Sequence, residues 1–175
     1  MIVWGDFDTE QFWEQSDYAD KKYVGAPVTD EQVAAVEREL GYKLPRSYVE
    51  LMKAQNGGIP RNTNHRTRER TSWSNDHIAI TGLYSIGSEK PYSLCGEMGS
   101  QFWIEEWEYP AIGIYFADCP SAGHDMLCLD YQECGPDGEP RVVHVDQEGE
   151  YQVTMVAENF ESFIRHLEGD EAFGD

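Results

Sequence analysis

At 175 residues the chain has the length of one ordinary domain, long enough to bury a core and short for two. Hydrophobic residues make up 40% and aromatics 13%, and no window approaches the roughly 18 consecutive apolar residues of a membrane span. Acidic side chains outnumber basic ones 33 to 13, and the net charge of −20 sets the chain against nucleic acid and anionic membrane as partners.

Residues 1–27 carry Trp4, Phe7, Phe12, Trp13, Tyr18 and Tyr23 among acids. Asp8 or Thr9 is placed to cap a short helix running to about Gln15, which would tether these aromatics to the core. No basic region followed by an apolar run stands at the start, so a cytoplasmic location is expected. Gly25-Ala26-Pro27 then breaks the chain.

The stretch 28–58 reads as two short helices with chemically marked ends. Thr29 and Gln32 form a capping box, Val33, Val36 and Leu40 an apolar stripe, and Gly41 a left-handed C-terminal cap. Pro45 suits the first position of the second helix, which carries Tyr48, Leu51 and Met52 inward. Asn56-Gly57-Gly58 tolerates positive φ and ends it.

Residues 59–76 are polar and without period, with Arg61, Arg66, Arg68 and Arg70 close together, and read as a mobile loop whose arginines pair with the chain's own acids or with an acidic spot on a partner. Residues 77–85 alternate as a first strand, and 100–108 form a short helix with Phe102, Trp103 and Trp107 near one side. Residues 111–117 and 125–131 are central strands, separated by a turn at Pro120-Ser121-Ala122-Gly123. After a turn at 135–138, residues 141–146 and 151–155 make a hairpin. Phe160, Phe163, Ile164 and Leu167 mark a closing amphipathic helix with Asn159 as its cap, and Gly169 ends it before a frayed acidic tail, 170–175.

The order helix, Gly, Leu-Pro-x-x-Tyr, helix, Asn-Gly-Gly resembles the opening of the SUKH superfamily of fungal cell-wall assembly regulators (Smi/Knr type) and bacterial immunity proteins. Later pieces agree over about residues 28–168: Gly123 with Asp125, Cys128-Leu129-Asp130, the Val-rich strand 142–145, and Phe160 with Phe163. His124 between Gly123 and Asp125, the Arg-rich stretch and the aromatic N-terminal segment depart from the barest family pattern. The resemblance implies one α+β domain over 1–175, a mainly antiparallel curved sheet of about five or six strands with helices packed on one side. It also implies a noncatalytic protein without cofactor, in bacterial members an immunity protein that neutralises a toxin domain, often a nuclease. A regulatory or scaffold module is the alternative.

Charge distribution fits a basic protein partner independently. Residues 1–96 hold 14 acids and 11 bases, net −3, whereas residues 97–175 hold 19 acids with only Arg141 and Arg165, net −17. A nuclease site is basic because it holds phosphates, so an acidic blocker complements it. Trp103, Glu105, Glu106, Trp107, Glu108, Asp125 and Asp130 are the candidate rim of a concave partner surface, tryptophans as anchors and carboxylates for steering. The structural alternative has Asp125 bonding turn amides and Asp130 ending a strand.

Other chemistry is weakly encoded. Cys95, Cys119, Cys128 and Cys134 lack C-x-x-C spacing and are expected as free thiols, and Cys119, His124, Asp125 and Cys128 form only half of a zinc pattern. His124-Asp125 could serve a metal-dependent hydrolase, but further His and Asp ligands at suitable spacing are missing. No nucleophile elbow, phosphate-binding Gly loop or H-E-x-x-H occurs, so neither metal nor catalytic residue is assigned.

Overall fold

The computed structural model of the chain describes residues 3–173 and is α+β, built from antiparallel sheets and helices. The N-terminal segment enters as β1 (Trp13–Glu14) and α1 (Asp17–Lys22) rather than as a helix ending at Gln15. Asp8 does accept from the Glu10 and Gln11 amides, at 3.1 and 3.0 Å, as a cap would. The turn it nucleates is not continued, because Trp13 and Glu14 pair with β2 (Ile59–Pro60). Ser16 caps α1 instead, accepting from the Ala19 amide at 3.1 Å. Trp4, Phe12, Trp13 and Tyr23 are buried, Tyr18 is exposed, and the Trp4 indole donates to the Ser47 carbonyl.

The helix α2 (Asp30–Leu40) begins and ends as its residues dictate: the Thr29 hydroxyl accepts from the Gln32 amide, and Gly41 takes φ +82°. Pro45 stands just outside α3 (Arg46–Ala54), in the N-cap position with extended ψ. Tyr48 in α3 is fully buried and donates its hydroxyl to the Tyr84 carbonyl at 2.6 Å. Asn56 does more than stop the helix. Its amide donates to the Ala26 and Ile86 carbonyls while its oxygen accepts from the Ile86 amide, tying three chain segments together. Gly57, at φ +89°, has no room for a side chain, since a Cβ would lie 2.8 Å from the Ser85 nitrogen and the Tyr23 oxygen.

The Arg-rich stretch is more ordered than its composition suggests. β3 (Asn64–Arg66) pairs with β4 (His77–Ala79), and Ser72 in the intervening arm donates its amide and hydroxyl to buried Asp146. The expected single strand over 77–85 is thereby split, since β5 (Gly82–Leu83) belongs to a different sheet. Arg66 pairs with Glu168 at 2.8 Å and Arg61 donates to the Trp13 carbonyl, so two of the four arginines are held by the chain itself.

After α4 (Ser100–Glu106) come β6 (Gly113–Asp118), β7 (Asp125–Asp130), β8 (Arg141–Asp146) and β9 (Gln152–Ala157). They extend β5 into a five-stranded antiparallel meander in sequence order. Register shifts between Tyr115 and Ala117 and between Val142 and Val143 are bulges, which bend their strands and give the sheet its curvature. The closing helix α5 (Phe160–Arg165), capped by Asn159, buries Phe160 against Tyr48 and Phe116, and Phe163 against Phe116 and His65. The acidic tail is not frayed through residue 173: Asp170–Phe173 forms a 3-10 turn, Asp170 accepts from Asn64, and Phe173 stacks on His77. Residues 174–175 lie outside the described residues.

Candidate functional site

The residues singled out in the sequence divide between surface and interior. Glu105, Glu106 and Glu108 are exposed and Trp107 is half-buried. Trp103 is buried at 4% exposure, with its indole N–H donating to the Met98 carbonyl and the Tyr84 hydroxyl at 2.9 and 3.0 Å. It cannot anchor a partner. Helical spacing puts Trp103 and Trp107 on one side of α4, and that side faces inward at its first member.

Asp125 and Asp130 are interior as well, each 2% exposed. Asp125 takes the Ser121 hydroxyl on one oxygen and His144 Nε2, at 2.6 Å, on the other. Ser121 Oγ in turn accepts from the His124 and Asp125 amides, both at 3.1 Å, so this serine rather than Asp125 binds the turn amides. Asp130 ends β7, pairs with Arg141 at 2.9 Å and accepts from the Gln132 amide. Neither carboxylate is left to rim a surface.

The turn at 121–124 rests on the tryptophans. Gly123, at φ +96°, lies so close that a Cβ would meet the Trp103 ring at 2.8 Å and the Trp107 ring at 3.1 Å, and its carbonyl accepts from the Tyr109 hydroxyl. His124 then projects outward over the edge of Trp107, ring centroids 5.8 Å apart. Its Nδ1 lies 3.0 Å from both the Gln147 and the Glu148 side-chain oxygens. Tyr151 closes the group by donating its hydroxyl to the Trp107 carbonyl at 2.5 Å.

Trp107 and His124 thus lie against one another, Glu148 reaches His124, and Glu105, Glu106, Glu108 and Glu150 are exposed on the segments that carry them. No lysine or arginine occurs in residues 100–108, 121–125 or 146–151. The two arginines of this half are engaged elsewhere, Arg141 with Asp130 and Glu133 and Arg165 with Glu161 and Asp6. Glu148, Glu150 and Tyr151 were not among the candidates drawn from the sequence, and His124 was weighed there only as a metal ligand or hydrolase residue. The signal was the pairing of two strands: Asp125 opposite Asp146 brings the turn before β7 and the turn after β8 to the same end of the sheet.

Cys119, Asp125 and His144 bring potential ligand atoms within 4.8 Å of one another, all buried. This trio is not the Cys119, His124, Asp125, Cys128 set suggested by spacing. His124 points to the surface, and the Cys128 thiol, buried at 0% exposure, turns to the Leu129 carbonyl. Burial, then the neighbouring Asp125 carboxylate, push the Cys119 thiol well above its ordinary range, which keeps it protonated and a poor nucleophile. Ser121 gives its hydrogen bond to the Asp125 carboxylate, whose other oxygen meets His144. The cluster is organised as a buried hydrogen-bonded brace between β7, β8 and the turn.

A family model described as SUKH_6, SMI1-KNR4 cell-wall, matches residues 30–164. The chain belongs to the SMI1-KNR4 family. No curated protein matches it. The family match begins with the first residue of α2 and ends within α5, so β1 and α1 lie outside the matched span while the acidic surface lies wholly inside it. Among the described residues no helix is long and apolar enough to cross a membrane.

Proposed function

We propose that this SMI1-KNR4 family member is a noncatalytic immunity-type protein of the cytoplasm that neutralises a basic toxin domain by covering its functional surface. The observation that carries this reading is the set of exposed carboxylates, Glu105, Glu106, Glu108, Glu148 and Glu150, on the two segments that bring Trp107 and His124 together, neither of which contains lysine or arginine. Exposed carboxylates in excess project their field outward and steer a cationic partner, while a half-buried tryptophan offers contact area at small ordering cost. A nuclease domain suits such a surface, since the cations that hold its phosphates are the groups the glutamates would engage.

The family description names the cell wall, which supports a second reading, a regulatory module with an endogenous partner. Capture of partners by the full chain at low and at high salt, followed by assay of the captured protein, separates the two. The first reading expects a basic protein whose toxic activity the chain suppresses, with an association rate falling at least about tenfold as salt rises from low to high ionic strength. E105Q/E106Q/E108Q should weaken that capture. A salt-indifferent partner, equally bound by the triple variant, would remove the acidic surface from the account.

A further inference from the structure

The two edges of the main sheet are treated differently. β5 is two residues long, and its Leu83 exchanges backbone hydrogen bonds of 2.8 and 3.1 Å with Gly58, which closes that edge. β9 is six residues long, Gln-Val-Thr-Met-Val-Ala, and among the described residues its backbone pairs only with β8. Its protections are slight. No charge and no proline occurs in it, its one bulge is at Val156 near its end, and at its start only the Gln152 side chain touches the neighbouring arm, at the Arg70 carbonyl. Val153 and Met155 are 39% and 45% exposed, although the residues opposite them in β8, Val145 and Val143, are completely buried.

A cleft of about 730 Å³ runs beside this edge, walled on one side by Met155, Val156, Ala157 and Glu158 and on the other by the arm at Arg66–Glu69. On the far wall Arg66 is held by Glu168, and Arg68 is followed by Glu69. We infer that β9 accepts an extended strand from a basic protein partner, with apolar residues set against Val153 and Met155 and a lysine or arginine near each end. Backbone pairing supplies the affinity in such strand addition, and the alternating side chains supply the selectivity.

Charge chooses this occupant over a second copy of the chain. An antiparallel strand centred on Thr154 meets exposed Glu150 beyond one end of β9 and exposed Glu158 at the other. A second copy in that register would set Val153 against Met155, but it would also set Glu150 against Glu158 and bring together two chains of net charge −20. A strand with cationic ends turns both repulsions into attractions. The edge shares Glu150 with the acidic surface, yet the inference stands on β9 itself and does not need that surface.

The test uses the full chain and a short peptide alternating valine and threonine with lysine at both ends. Binding should slow hydrogen exchange of the β9 amides. Affinity should fall at least about tenfold when alternate peptide nitrogens are methylated, which removes the ladder donors, or when glutamate replaces the terminal lysines. Met155→Lys, at an exposed position, should weaken binding without moving the urea midpoint, while E105Q/E106Q/E108Q should leave the exchange pattern of β9 unaltered. Absence of binding, equal binding of the methylated or glutamate-ended peptide, or a concentration-dependent dimer of the chain abolished by Met155→Lys would each overturn the inference.

Discussion

Asp118 is held in an unfavourable state at neutral pH. It ends β6 beside Tyr23, whose hydroxyl donates to it at 2.8 Å, yet desolvation outweighs that bond and pushes its carboxyl up to about 6. A carboxyl raised in the folded state binds more protons there than in the unfolded chain at pH values between its two pKa values, so its contribution falls as pH rises through that window. Asp118→Asn keeps an acceptor for Tyr23 and removes the penalty. Urea unfolding should show the variant more stable by about 1–3 kcal/mol at pH 7, with the advantage gone near pH 4. Asp130, by contrast, has no exposure of its side chain and is paired with Arg141. Arg141→Gln should cost about 3 kcal/mol at neutral pH, because it strands a buried carboxylate.

At the scale of elements, the two glycines that end α2 and α3 separate backbone strain from steric exclusion. Gly41 and Gly57 share nearly the same φ, +82° and +89°, but a Cβ on Gly41 meets nothing within 4 Å. Gly41→Ala should cost about 1 kcal/mol by urea titration, the strain of a left-handed residue alone. Gly57→Ala should cost at least about 3 kcal/mol, since its Cβ also strikes backbone atoms that cannot move singly. Equal costs would mean that the chain around Ser85 yields freely. Such ends were legible in the sequence because Thr29, Gly41 and Asn159 act on their own neighbours. The strands of the meander were legible too, since 125–130 and 141–146 are apolar runs whose length only a buried strand fits. What was hidden is what distant pairing decides. Asp8 marked a turn, but β2, far along the chain, drew Trp13 and Glu14 into a strand; Trp103 and Trp107 read alike, and it is Trp103 that meets Tyr84 and Tyr109 and is buried. For the site, Glu105, Glu106, Trp107 and Glu108 could be read from the chain, whereas Glu148 and Glu150 join them through the β7–β8 register.

For the molecule as a whole, a net charge of −20 opposes compaction, and residues 97–175 supply only two arginines among their acids, with Arg66 reaching in to pair with Glu168. Screening should therefore stabilise the free protein. The urea midpoint should rise between about 10 mM and 300 mM sodium chloride, with a gain of order 1 kcal/mol, since each added ion shortens the range over which like charges repel. The same argument makes the surface around Trp107 a stability liability in the free chain. E105Q/E106Q/E108Q should be more stable than the parent at low salt, and the two should converge as salt rises. It should also bind a basic partner more weakly, so that stability and binding move in opposite directions in one variant. That pairing is the signature of carboxylates kept for recognition. A variant less stable than its parent at every salt concentration would place those glutamates instead among the groups that hold α4 and its neighbouring turns together.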